Sequence, residues 1–185
     1  MCAVLDWGFS HAIAGAFLKF GDHSIIQRPV RISGESRISI GRKVFIGAGG
    51  WLNALAEGPE TNAIIEIGDG TSMSGICVIS AVQSVRLEAK VLLARNVYIS
   101  DHIHRYDQIG VPIMAQGVEK IRPVLIRQGA WLGQNVVVCP GVTIGRGAVI
   151  GANSVVNTDI PDYSIAVGAP ARVVRTFYKA EPPAP

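Results

Sequence analysis

The feature that most restricts the fold is a period of six. From Val124 to Asn157 (VLIRQGAWLGQNVVVCPGVTIGRGAVIGANSVVN) a branched aliphatic recurs at Ile126, Leu132, Val138, Ile144, Ile150 and Val156. Two residues before each stand Val124, Ala130, Val136, Val142, Ala148 and Ser154. An α-helix repeats every 3.6 residues and a strand every two, so neither holds a six-residue phase by itself. A chain that turns a corner every sixth residue does, with one bulky side chain inward per face and a smaller one near each corner. Gly133, Gly145 and Gly151 follow the aliphatic, which suits a corner where backbone packs closely or φ is unusual. Three faces close one coil of a parallel β-helix, so about 18 residues advance the chain by ~4.8 Å, the spacing of paired strands.

The same grid extends toward the N-terminus, with two interruptions. It begins at Val30 and Ile32, holds at Ile40, Ile46 and Leu52, and breaks over Asn53 to Asn62, where Gly, Pro and two acids mark a loop. It resumes at Ile67, Met73 and Ile79, slips by two residues between Ala81 and Arg86, and continues at Leu87, Leu93 and Ile99. The second break, residues 101–123 (DHIHRYDQIGVPIMAQGVEKIRP), is a polar excursion with two histidines and two prolines. In so regular a scaffold, function concentrates in such an excursion. Residues 1–29 do not follow the grid and are expected to cap the first coil. Residues 30–175 form the repeat domain, and 176–185 are expected to be a disordered tail.

Composition agrees with thin stacked coils: 49% hydrophobic residues, only 6% aromatic, and 21 glycines. The net charge of +3 with no Lys or Arg run argues against a nucleic-acid partner. Asp6 and His11 interrupt the apolar N-terminal stretch, which fits neither a signal peptide nor a membrane span; a surface contact through Trp7, Phe9 and Phe17 is the weaker alternative to a cap. Cys2, Cys77 and Cys139 share no metal spacing, and reduced thiols in a cytoplasmic protein are the simpler reading.

The grid, the loop and the ending PDYSIAVGAPARVVR resemble the hexapeptide-repeat acyltransferases, and most nearly the bacterial sugar O-acetyltransferases of the maltose, galactoside and capsule or lipopolysaccharide type. The resemblance covers roughly residues 30 to 175. It implies a left-handed β-helix, acetyl-CoA as acyl donor, no metal, and a homotrimer with sites between subunits.

Acyl transfer to a hydroxyl needs a base to take the hydroxyl proton, and histidine suits neutral pH. The resemblance places that base at His102. His104 and Tyr106 follow at alternating positions as acceptor-side candidates. Asp101 is grouped with them, and either Asp101 or Asp107 is a candidate to fix the tautomer of the base. Counting along the grid, Ser74 occupies the position where the sugar enzymes carry an acceptor-binding Asn. On the donor side the resemblance assigns Trp131 beside the pantetheine, the amide of Gly133 or Gln134 as oxyanion donor, Ala152 and Asn157 along the pantetheine arm, and Arg172 and Arg175 near the adenosine phosphates. The loop beside His102 contains neither Cys nor Ser, so transfer is expected to be direct.

Three alternatives stand beside O-acetyl transfer. They are N-acetyl transfer to an amino sugar, a γ-carbonic-anhydrase-like metal site, and a non-catalytic β-helix scaffold. Only His102 and His104 are placed for a zinc site that needs three histidines.

Overall fold

The computed structural model describes residues 2–55 and 62–177. Residues 56–61 of the expected first loop and 178–185 of the expected tail lie outside the described residues.

The chain winds through short parallel strands in three sheets, each collecting one strand per coil. One coil runs Val124–Ile126, Trp131–Leu132, Val137–Val138; the next runs Thr143–Ile144, Val149–Ile150, Val155–Val156. Register is set by the aliphatic grid. On the first face Ile40, Ile67, Leu87, Ile126 and Ile144 stack in one column, each opposite the next. On the second the column is Ile26, Ile46, Met73, Leu93, Leu132, Ile150 and Ala166. On the third it is Ile32, Leu52, Ile79, Ile99, Val138 and Val156. Apart from Ile32, which is only partly buried, these side chains lie inside the coil. Sealing each from water contributes roughly 1.5–3 kcal/mol, and the stack is continuous, so removing one leaves a cavity between two neighbours.

The coils begin earlier than residue 30. Strands Lys19–Phe20 and Ile25–Ile26 already pair with Ser39–Ile40 and Phe45–Ile46. The helix Cys2–Ile13 precedes them, and the buried Ser10 hydroxyl accepts the Ile26 N–H at 2.8 Å. Phe17 is buried in the core, and Phe9 and Ile13 pack against it. At the other end, Ala171–Thr176 folds back antiparallel on Ser164–Gly168, extending the second sheet past the last coil. Residue 176 is therefore in a strand rather than in a tail.

The corners divide two tasks. The third residue after the inward aliphatic adopts positive φ, as at Lys43, Lys90, Asn96, Asn135 and Asn153 and at Gly70, Gly129, Gly141 and Gly147. Asn tolerates this conformation because its short amide can bond locally. Here Asn96 Nδ2 donates to Asn135 Oδ1 at 2.9 Å and Asn135 Nδ2 to Asn153 Oδ1 at 2.8 Å, a ladder up one corner. Gly133 and Gly151 serve close approach instead. A Cβ on Gly133 would lie 2.7 Å from the Ala152 nitrogen, and one on Gly151 would lie 2.7 Å from Val167 Cγ1.

The three outer faces differ. The first carries Lys19, Ser39, Glu66, Arg86, Leu125 and Thr143 outward. The second presents Ile25, Phe45, Ser72, Leu92, Trp131, Val149 and Ile165, and the third Arg31, Trp51, Val78, Tyr98, Val137 and Val155. One face is largely polar and two are largely apolar.

Candidate active site

The excursion leaves the corner between the third and first faces, after Tyr98–Ser100, and returns at Val124. Its base is a two-stranded ribbon, Ile103–His104 against Val118–Glu119, closed by Arg122 N–H donating to Asp101 O at 2.8 Å. Its outer part exposes Tyr106, Ile109, Ile113 and Met114.

At the root of the ribbon lies a groove of about 590 Å³ across the third face. His102 and His104 line it together with Trp51, Asn53, Ser80, Tyr98, Ser100 and Cys139. His102 is 8% exposed, and its Nδ1 lies 2.8 Å from Asp101 Oδ1. The Ser100 hydroxyl donates to His102 O at 2.9 Å and holds the backbone of the same residue. A carboxylate at Nδ1 favours the tautomer protonated there, which leaves the lone pair on Nε2 for a substrate.

Asp101 is fully buried, a position a carboxylate tolerates only with its oxygens satisfied. Its oxygens accept from the N–H groups of Val82 (3.0 and 3.1 Å), Gln83 (2.7 Å) and Ser84 (2.7 Å). These three residues belong to the two-residue slip in the repeat. The slip thus turns three successive amides toward one carboxylate, which in turn fixes the imidazole. Asp101 has no surface to offer an acceptor, so its place is under the histidine rather than on the acceptor side. Asp107 instead pairs with Arg105 (Nε to Oδ1, 2.8 Å) in the exposed loop, and the guanidinium holds its carboxyl below the usual carboxylate range.

The other acceptor-side candidates separate. His104 is in the groove and exposed, whereas Tyr106 projects outward beside Lys120, whose Nζ lies 3.4 Å from its hydroxyl. Ser74 is exposed at the corner between the second and third faces and does not line the groove. The polar groups that do line it include Asn53 and Ser80, which the six-residue count passed over because it followed the corner rather than the face. Cys139 also lines it, so the groove contains a thiol that the loop sequence alone does not. Burial pushes that thiol above its ordinary pKa.

The donor-side candidates gather elsewhere. Trp131 is half exposed on the second face, in the sheet that continues through Val149–Ile150 and Ser164–Gly168 to the strand bearing Arg172 and Arg175. Gly133, Gln134 and Ala152 lie along the corner beside that face. The Gly133 N–H is committed to Ile150 O at 2.8 Å, so of the two oxyanion candidates the Gln134 amide remains. Asn157 lies at a different corner, past Val155–Val156, on the side where the ribbon emerges. Within one chain, His102 and Trp131 are therefore on different faces. Among the described residues no group of three or more His, Cys, Asp or Glu is arranged to hold a metal, and no helix is long and apolar enough to cross a membrane.

A six-residue β-helix with a His-bearing ribbon defines the class of the hexapeptide-repeat transferases. Residues 123–158 match the bacterial transferase hexapeptide (six repeats) family. WbbJ of Escherichia coli, named for O-acetyl transfer in lipopolysaccharide biosynthesis, is 32% identical over 159 residues, covering 83% of this chain and 79% of WbbJ. Rv3034c of Mycobacterium tuberculosis, named a probable acetyltransferase, is 42% identical over 140 residues, 76% of this chain but only 44% of that protein. Among solved structures, the hexapeptide-repeat acetyltransferase VCA0836 of Vibrio cholerae in complex with acetyl-CoA superposes with a TM-score of 0.65 at 26% identity, covering 95% and 80% of the two chains. The N-acyltransferase AntD of Bacillus cereus, bound to dTDP and 3-hydroxybutyryl-CoA, shares the fold with a TM-score of 0.75 at 19% identity, covering 92% and 87%. The chain belongs to the hexapeptide-repeat acyltransferases, whose left-handed parallel β-helix is the fold described above.

Proposed function

We propose that the protein transfers an acetyl group from acetyl-CoA to a hydroxyl of a sugar or glycan precursor in the cytoplasm, with His102 as general base. The observation that carries this reading is the buried Asp101 carboxylate, held by three amides and placed 2.8 Å from His102 Nδ1 in a groove. A neutral amine attacks a thioester through its own lone pair, whereas a hydroxyl needs its proton removed as it attacks, and an oriented imidazole supplies that. WbbJ carries O-acetyl transfer in its name. Transfer to an amino sugar is the second reading; AntD, an N-acyltransferase that shares the fold, was solved with dTDP-4-amino-4,6-dideoxyglucose and coenzyme A.

Acetyl-CoA would lie along the second face, with Trp131 beside the pantetheine, the Gln134 N–H toward the thioester carbonyl, and Arg172 and Arg175 toward the phosphates. Because His102 opens on the third face, the complete site needs the second face of another copy. A cyclic trimer uses two different patches on each subunit, and this chain has two apolar outer faces and one polar one. The exposed Ile109, Ile113 and Met114 of the ribbon would then cover the neighbour.

The test is CoA release from acetyl-CoA across a panel of glycosides and amino sugars, with product mass and its lability to mild alkali. An alkali-labile ester and a His102→Ala loss of about 10²- to 10⁴-fold in turnover, with CoA binding little changed, are expected. An alkali-stable amide as the main product, or full turnover in His102→Ala, contradicts the reading.

A further inference from the structure

The groove continues past His102 toward the N-terminal coils, and its composition there is not what the fold requires. On the third face the residue after the inward aliphatic is Asn53, Ser80 and Ser100 in three successive coils, in register with one another. In the next two coils the equivalent residues are Cys139 and Asn157. Ser100 is committed to the His102 backbone. Among the described residues, Asn53 and Ser80 bond through their side chains to each other, Asn53 Nδ2 donating to Ser80 Oγ at 3.2 Å. That bond leaves the Ser80 O–H as a donor and the Asn53 carbonyl oxygen as an acceptor, both in groove-lining residues. Two residues before them, the outward column of the same face carries Trp51, Val78 and Tyr98.

We propose that Asn53 and Ser80 are the specificity-determining pair for the acceptor, binding a vicinal diol of a pyranose whose apolar face rests on the Trp51–Val78–Tyr98 column. This rests on the reading of the groove as an acceptor site for hydroxyl transfer. A diol presents two adjacent O–H groups that each donate and accept, and a paired donor and acceptor on neighbouring strands, ~4.8 Å apart, matches it. Pyranose rings combine such an edge with an apolar C–H face, and the aromatic column offers the surface for that face. Ser80 precedes Ser100 by one coil, so a ring held there brings its next hydroxyl toward His102. The acceptor is thereby a sugar with free adjacent hydroxyls beside the one acylated. A simple alcohol or a ring deoxygenated at that position would be a poor substrate.

The probes are methyl gluco-, galacto- and mannopyranosides and their 2- and 3-deoxy analogues, assayed with wild type, Asn53→Ala and Ser80→Ala after thermal melting confirms folding. Each variant should raise acceptor KM about five- to tenfold, as for one lost hydrogen bond, with acetyl-CoA KM unchanged. The variants should also lose discrimination against one deoxy analogue. Acceptor KM within twofold of wild type in both variants, while His102-dependent ester formation continues, overturns the diol subsite and leaves the hydroxyl-transfer reading standing. If wild type acylates only amines, that reading fails, and the subsite is judged by binding alone. Titrating the methyl glycosides must then shift the Asn53 side-chain amide in ¹⁵N-resolved spectra, and an unmoved Asn53 amide overturns it.

Discussion

Asp101 and His102 are neighbours in sequence, yet the carboxylate turns inward to meet three amides of the preceding coil while Oδ1 remains 2.8 Å from Nδ1 of the histidine beside it. The carboxylate is completely buried and the ring nearly so. This arrangement fixes the ring before any substrate arrives, so little reorganisation is left for the reaction.

Asp101→Asn keeps the shape but presents a neutral group, and one that can place an N–H toward Nδ1. Turnover should fall, by up to about 10⁴-fold where the amide N–H imposes the wrong tautomer on a general-base histidine. Acetyl-CoA KM should stay near wild type. A purely structural role predicts a lower melting temperature with turnover per folded enzyme unchanged, so melting curves and kinetics on the same sample separate the two. Unchanged turnover would remove Asp101 from the machinery.

Much of the scaffold is legible in the sequence because its inward contacts are periodic. Once Ile126, Leu132 and Val138 are assigned to three faces, the inward residues as far as Val156 follow by sixes, and the same count, restarted after each break and after the slip, gives the inward aliphatics back to Ile40. The start of the stack is less legible, since the first coil carries Phe20, only partly buried, at an inward position and is masked by the apolar helix before it. The slip at residues 81–86 is visible as a defect, but its purpose depends on what faces it 17 to 19 residues later. Ser74 and Asn53 illustrate the same limit. A count of residues locates a corner or a face, whereas the groove is made by side chains of four coils meeting a ribbon with no repeat of its own. Trp131 and His102 are recognisable individually, but their placement on different faces follows only from the winding.

Cys139 in the groove raises the question of a covalent route. Burial lifts the pKa of its thiol, so the protonated form dominates near neutrality and the thiolate gains only as pH rises toward and past that raised value. Transfer should therefore be direct. Incubation with acetyl-CoA alone should leave the protein mass unchanged, and Cys139→Ser should keep most of its turnover. Alkylation of Cys139 by iodoacetamide should be slow at pH 7 and accelerate steadily above pH 9. A burst-phase gain of one acetyl group on Cys139 would establish an acyl-enzyme instead.

The placement of His102 and Trp131 on separate faces makes the shared site the central claim, and subunit hybrids test it most directly. His102→Ala and Arg172→Ala proteins are inactive or weak alone when acetyl-CoA is well below the KM of the second variant. Mixed one to one under exchange conditions, random trimers should place an intact histidine opposite an intact arginine at about a quarter of the interfaces. The account predicts recovery of about a quarter of wild-type activity, appearing only after exchange. No recovery from hybrids proven by mass, or a monomer by sedimentation at working concentration, would contradict it.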